Sequence, residues 1–425
     1  MINLSPSQEE ARDAFQSFLM DEDKKELVIS GFAGSGKSFL MRYLEELAYS
    51  QFVIEKNMDK NFREMDIYFT ATTNKAAGVL ADMTNRESQT IHSFLGLQPV
   101  NDFKTGKVKL KTTDRTMVMD SVLVFIDEAS MISKQLLQII RECLVNESTN
   151  SKVVYVGDSY QLPPVMESHS PVFVSVKDAA NLREIQRQAA QNPIIQASAK
   201  FRQVLDDGYK GSWPELPVDD VHIFHLDKDE MRNEIDAKFK NNPSPLKVKV
   251  LGYTNERVIE YNRHIRKLYT PHEEFVPGEY VITNKPVMRG RRILLHTDSF
   301  VQIKSMSETE SSDGLKGWIV GLGKASVFLP KDHQEYRQLL KTYVRRKDWT
   351  NYFRVKDTYA DLRPAHALTC HKSQGSTYEE VFVDMGDIGR NMKWTEIARL
   401  MYVAMSRASK RVYLYGKLPL RGWTA

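Results

Sequence analysis

Cysteine is nearly missing from this sequence. Cys143 and Cys370 are the only two in 425 residues, and their separation is not that of a metal site. That excludes a disulfide framework or a cysteine-based zinc site and fits a reducing compartment. Long apolar runs are missing too. None approaches the ~20 residues needed to cross a bilayer, so no membrane association is expected. The opening "MINLSPSQEEARDAF" carries acidic residues and no apolar core, so no signal peptide is expected. Charge of one sign is also scarce, with 59 Lys and Arg against 55 Asp and Glu, a net +4. A polyanion would therefore be held by local basic surfaces and not by a global field. There is no repeat at solenoid period, no low-complexity tail, and no second acidic cluster with the spacing of a nuclease metal site. A cytoplasmic protein is the expectation.

Hydrophobic residues at 41% and charged residues at 27% are those of a soluble globular chain. Its length calls for two to four domains. The strongest local signal is "GFAGSGKS", residues 31–38, between the strand-like "ELVIS" and the helix-like "FLMRYLEELAYS". The pattern G-x-x-x-x-G-K-[ST] in that setting is a phosphate-binding loop. Its bare backbone around Gly34, Ser35 and Gly36 lets N–H groups wrap phosphate oxygens, and the helix start adds a positive dipole. Lys37 is expected to reach the outer phosphates and the Ser38 hydroxyl to ligate Mg2+. The implied cofactor is a nucleoside triphosphate, ATP.

Short β-rich runs, "ELVISG", "DIYFTAT", "SVLVFIDEA" and "KVVYVGD", alternate with helical stretches over residues 1–180. This predicts an α/β domain with a doubly wound parallel sheet, whose ligands lie at the carboxyl ends of the strands. Residues 98–115, "QPVNDFKTGKVKLKTTDR", break the rhythm and read as a protruding basic hairpin. A second α/β pattern covers 181–273 and resumes over 361–425. Between them, residues 274–360 predict a small inserted β-barrel followed by a charged helical segment.

Three further stretches carry candidate chemistry. "VLVFIDEAS" places Asp127 and Glu128 at a strand end. Asp127 is suited to hold Mg2+ and Glu128 to take a proton from an attacking water. In "VGDSYQLPPV", Gln161 is placed to offer an amide to the last phosphate. Gln8, in "LSPSQEEA", is a candidate reader of an adenine edge.

Taken in order, "SPSQ", "GFAGSGKS", "TATTNKAA", "QTIHSFLGL", "FIDEAS", "GDSYQLPPV", "LREIQRQ", "LGYTNE", "LTCHKSQGST" and "YVAMSRAS" resemble the motif series of superfamily 1B, RecD-like helicases over nearly the whole chain. The resemblance implies two RecA-like domains, with the hairpin as a strand-separating pin and the insertion as an accessory domain. It implies that Arg187 and Arg407 point from the second domain at the phosphates, with Gln374 and Gly375 near them. It implies DNA contacts at Thr73, Asn74 and His92 of the first domain and at Thr254 and Asn255 of the second. Thr369 and His371 would tie nucleotide state to the strand. On the hairpin, Phe103 is the candidate wedge, with Lys107 and Lys109 on the parted backbone. One position departs from the pattern: where relatives usually carry proline before the threonine of "TATTNKAA", this chain has Thr72.

The implied activity is an ATP-dependent DNA helicase moving 5′ to 3′ along single-stranded DNA and opening forked duplex in replication, recombination or repair. Its state would be monomeric, with a single-strand-binding protein or other replication proteins as candidate partners. The compact chain and the resemblance imply a phage source and hence a host cytoplasm. The alternative is an ATP-switched single-strand binder or loader that keeps every ATP motif and does not unwind. A small-molecule kinase would not need Arg407 so far downstream, nor two α/β domains.

Overall fold

The computed structural model describes residues 3–102, 107–111, 118–164, 167–186, 192–289, 292–323 and 325–420. In chain order the first strands are β1 (Glu26–Gly31), β2 (Asp66–Ala71) and β3 (Ser88–Thr90). A hairpin of β4 (Gln98–Asp102) and β5 (Lys107–Lys111) follows, then β6 (Val122–Asp127), β7 (Lys152–Gly157) and β8 (Ala179–Leu182). Six of these form one sheet in the order β3-β2-β6-β7-β1-β8, and every neighbouring pair is parallel. The hairpin stays outside it, pairing antiparallel from Gln98↔Lys111 to Asp102↔Lys107.

Both faces of this sheet are covered, which is why its strands read as unbroken apolar runs. Alternate residues separate cleanly. Leu123 and Phe125 enter one core with Phe15, Leu40, Leu44 and Phe69. Val122, Val124 and Ile126 enter the other with Ile91, Ile140 and Tyr155. Burying each such side chain contributes about 1.5–3 kcal/mol.

After the first sheet come β9 (Ile223–Leu226) and β10 (Val248–Gly252). The chain then makes an excursion of short strands: β11 (Tyr280–Thr283), β12 (Val287–Arg289), β13 (Arg292–Leu295), β14 (Phe300–Gln302), β15 (Ser305–Glu310), β16 (Lys316–Gly321), β17 (Ser326–Pro330) and β18 (Leu362–Pro364). These fall into small antiparallel sheets. Val281, Ile303, Val320, Leu329 and Leu362 share one apolar core there. Helices His333–Arg345 and Trp349–Thr358 lie between β17 and β18. The chain ends on β19 (Ala367–Thr369), β20 (Tyr378–Asp384) and β21 (Ala408–Tyr415). With β9 and β10 they form the second sheet, in the order β19-β10-β20-β21-β9, again all parallel.

β8 lies across the expected division at 180/181 and completes the first sheet by pairing with β1. The chain just after it stays there too: Gln186 N–H donates to the Gly34 carbonyl at 3.0 Å. A four-residue strand straddling two compositional zones has too little pattern of its own to be assigned from sequence.

The two halves meet along an apolar seam. Phe32 and Leu162, from loops of the first sheet, are buried in the same cluster as Leu251, Leu368, Met401 and Tyr402. Among the described residues no helix is long and apolar enough to cross a membrane.

Candidate nucleotide site and strand interface

The loop after β1 runs into helix Lys37–Met58 through Gly36, whose φ of +82° is left-handed. A Cβ there would stand 2.7 Å from Gln8 Nε2. Bare backbone is therefore required on both steric and conformational grounds. Ser35 is buried, and its Oγ has no hydrogen-bond partner. A buried hydroxyl left open at a helix start fits a ligand rich in acceptor oxygens. Lys37 Nζ donates to the carbonyls of Gly31 at 2.6 Å and Phe32 at 3.1 Å, and reaching phosphate oxygens would require it to give these up. Ser38 sits one residue further into the helix.

Gln8 lies under this loop and not open to solvent. It is 1% exposed, its Oε1 accepts from Ser5 N–H at 3.0 Å, and its Nε2 donates to the Ser35 carbonyl at 3.3 Å. The amide buttresses the phosphate loop, and reading an adenine edge would require it to give up these bonds.

β6 delivers Asp127 and Glu128 to the same end of the sheet. Glu128 has φ +54° and ψ 42°, a left-handed conformation rare for a residue with a side chain. Its N–H donates to Asp127 Oδ1 at 2.8 Å, and its own Oε2 is buried without a partner. Burial raises both carboxyls. Glu128 is pushed up to about 7 by burial first and the Asp127 charge second, against the opposing pull of Arg407 and Lys37. A carboxylate poised near neutrality and lacking a hydrogen-bond partner for one oxygen is what proton abstraction from water needs. After β7, Gln161 is buried with its Oε1 also unpartnered.

The second sheet closes this cleft through helix Trp394–Ser406. Arg407, at its end, is 7% exposed. Its Nε donates to the Val403 carbonyl at 3.3 Å and its Nη1 to the Ser376 carbonyl at 3.2 Å. Two contacts on this helix go beyond what the motifs imply. The Tyr402 hydroxyl donates to Asp158 and accepts from Ala33 N–H at 2.9 Å, so one phenol touches the phosphate loop and the loop after β7. Arg399 Nη1 donates to the carbonyls of Ser159 at 2.6 Å and Gln161 at 2.8 Å, fixing the backbone that carries the open amide. Tyr402 opens the stretch "YVAMSRAS", and Arg399 stands one turn before it. That spacing is the one signal the sequence offers for them. Gln374 Nε2 donates across the seam to the Leu162 carbonyl at 3.1 Å. Gly375, with φ +68°, lies where a Cβ would come within 3.4 Å of Thr73 and Ala76.

Residues expected to face a strand divide by how their polar atoms are used. Thr73 caps helix Asn74–Thr84, accepting from Ala76 N–H at 3.1 Å, and Asn74 starts that helix. Next to them Lys75 is half-buried, its Nζ is buried with no hydrogen-bond partner, and it stands 4.3 Å from the centre of the Phe300 ring. Burial lowers it to about 8. His92 and His371 are also lowered by burial. Thr369 ends β19, and its Oγ1 accepts from Lys372 N–H at 3.4 Å. Thr254 is different. Its hydroxyl donates to Asp387 Oδ1 at 2.7 Å and accepts from Arg257 N–H at 3.3 Å, so it is already engaged as a cap of helix Asn255–Tyr269. Asn255 follows at the first helical position. Arg187 and Phe103 lie outside the described residues, and of Lys107 and Lys109 the strand β5 is described but not the side chains.

The family model of a AAA domain matches residues 3–207, and that of the UvrD-like helicase C-terminal domain matches residues 364–415. The ATP-dependent DNA helicase dda of Enterobacteria phage T4 is 23% identical over 447 residues, covering 92% of this chain and 94% of that protein. The ATP-dependent DNA helicase Pif1 of Bdellovibrio bacteriovorus is 24% identical over 436 residues, covering 98% and 89%. Among solved structures, the Pif1 helicase from Bacteroides in complex with ADP-AlF3 and single-stranded DNA has a TM-score of 0.51 at 14% identity, covering 99% of this chain and 94% of that one. This last likeness carries the fold: two parallel sheets facing one another across a cleft. The order of motifs, the order of matched domains and the fold agree, and over nearly its whole length the chain is similar to the superfamily 1B, RecD-like helicases.

Proposed function

We propose that this chain is an ATP-dependent DNA helicase that moves 5′ to 3′ along one strand and separates the duplex ahead of it. The observation that carries the reading is the Glu128 carboxyl, buried with one oxygen unpartnered beside Asp127 and felt by Arg407 from the opposite sheet. A hydrolytic site assembled from both halves can act only when they are together, which is how chemistry becomes motion.

In this reading the loop around Gly34–Gly36 and Lys37 holds the phosphates. Ser38 and Asp127 hold Mg2+, which when bound neutralises charge on the phosphates. Glu128 takes the proton from the attacking water, Gln161 orients that water against the last phosphate, and Arg407 and Arg187 stabilise the charge that develops on the transferring group. Thr73, Asn74, His92, Asn255 and the backbone around Thr254 hold the DNA backbone without reading its sequence. The two sheets are the motor lobes, the hairpin of β4 and β5 is the separating pin with Phe103 as its wedge, and residues 274–360 are an accessory domain. Single-stranded and forked DNA are the partners.

The test is the ATPase rate with single-stranded DNA, with RNA and with no polymer, followed by unwinding of forks tailed at either end. Stimulation by DNA and opening of the 5′-tailed fork are expected. Stimulation without any opening would make the chain a switch and not a helicase.

A further inference from the structure

Thr72 stands between the last residue of β2 and the cap Thr73, and it touches two places at once. Toward the sheet, its Oγ1 donates to the Glu128 carbonyl at 3.2 Å and its N–H donates to the Asp127 carbonyl at 3.2 Å. These carbonyls bracket the residue whose backbone is held left-handed. On its other side, Thr72 lines a cavity of about 210 Å³ together with Asn74 and Lys75 of its own segment and Lys372 and Gln374 from the second half. Lys75, whose buried Nζ has no hydrogen-bond partner, and Lys372 set two cations in the cavity against the one carboxylate of Asp298, which stands 3.4 Å from Lys372 Nζ, a balance that suits an anionic backbone. The cavity and the Glu128 backbone carbonyl thus share the Thr72 side chain as a neighbour.

We propose that Thr72 is a positioning residue: it passes occupancy of this cavity by a polynucleotide backbone to Glu128. The proposal rests on the helicase reading above. A strand seated against residues 72–75 shifts or stiffens that segment. The hydroxyl transmits the displacement to the peptide that sets where the Glu128 carboxylate points. A residue without a side-chain donor at this position holds the segment only through the backbone.

Thr72→Val keeps the β-branched shape and removes the donor; Thr72→Ser keeps the donor. For both variants and the wild type, kcat and KM for ATP are measured with and without an oligothymidylate, alongside the melting temperature. The expected result for Thr72→Val is a loss of about five- to ten-fold in the gain in kcat on adding the oligonucleotide, the scale of one hydrogen bond. KM for ATP and melting temperature should be unchanged, and Thr72→Ser should restore the gain. Full stimulation in Thr72→Val overturns the proposal. So does an equal loss in both variants accompanied by a lowered melting temperature, which would make Thr72 merely structural. A wild-type enzyme indifferent to polynucleotide would instead overturn the helicase reading, and this proposal with it.

Discussion

The two parallel sheets share an architecture and differ in what they leave open. At the carboxyl end of the first, Ser35 Oγ, Glu128 Oε2 and Gln161 Oε1 are buried without partners. After β10 and β20 of the second, the polar groups satisfy one another. Asp387 Oδ2 accepts from Tyr253 N–H at 2.6 Å and Thr254 N–H at 2.8 Å, and Asp384 Oδ2 accepts from Arg257 Nε and the Tyr261 hydroxyl, each at 2.7 Å. Open buried valences cost stability in the free protein and are tolerated where a ligand completes them. Saturated ones make a rigid body. At these loops the first sheet is therefore built as a receptor and the loops after β10 and β20 as rigid supports, the open atoms of the second half being Ser376 Oγ and Tyr378 OH near the start of β20 and His366 Nδ1, among others.

That contrast can be broken at the residue the second sheet lends. Arg407→Ala should lower kcat by roughly 10³-fold, as for a guanidinium used mainly in the transition state. KM for ATP should move by only a few-fold in steady-state assays with single-stranded DNA. A large fall in nucleotide-free DNA affinity would place Arg407 on the strand instead. Glu128→Gln removes the base at constant volume and should cost ~100-fold or more in turnover, while a fluorescent ATP analogue still binds. Near-normal hydrolysis in that variant would remove Glu128 from the role given to it.

The pH profile sharpens the same point. The base must be deprotonated to act, and burial together with the Asp127 charge pushes Glu128 up to about 7 in the free protein. So kcat/KM should rise with pH, about ten-fold per unit well below 7, and flatten above it. The rising limb should vanish in Glu128→Gln. The smallest effect is expected on the saturated side. Thr254→Val removes a helix cap and a bond to Asp387, so unfolding free energy should fall by about 1 kcal/mol while ATP turnover changes little. If turnover collapses with stability intact, the second sheet is more than a passive block.

Much of the receptor half is legible in the sequence alone. "GFAGSGKS" and "FIDEAS" announce themselves because strand, loop and helix are contiguous in sequence, and local pattern fixes which end of the strand the side chains occupy. The bonds of Tyr402 to Ala33 and Asp158, and of Arg399 to Ser159 and Gln161, are not legible there. They depend on how two separately folded sheets dock, which no periodicity encodes. Thr254 shows the same limit: "GYTNE" advertises a hydroxyl at a helix start, yet its partner Asp387 lies 133 residues away. Gln8 reads as an open amide because nothing in "SPSQ" reveals that the phosphate loop will settle on it.

The excursion between β10 and β19 closes on itself. β11 and β18 pair side by side, and just beyond them Asn284 bonds Asp361 through both backbone and side chain, each at 2.8 Å. The way in and the way out are thus stitched together, and beyond the stitch the second sheet meets the excursion at Phe300, whose ring lies 4.4 Å from Lys249 Nζ of β10, and at Asp298, 3.4 Å from Lys372 Nζ. Lengthening a flexible loop costs little, about 0.6 kcal/mol for each doubling. Over generations, the outer part of the excursion, β15 to β17 and the two helices after them, can be enlarged or trimmed while the spacing between β10 and β19 stays fixed. A lineage carrying this motor can change its attachment without rebuilding its engine.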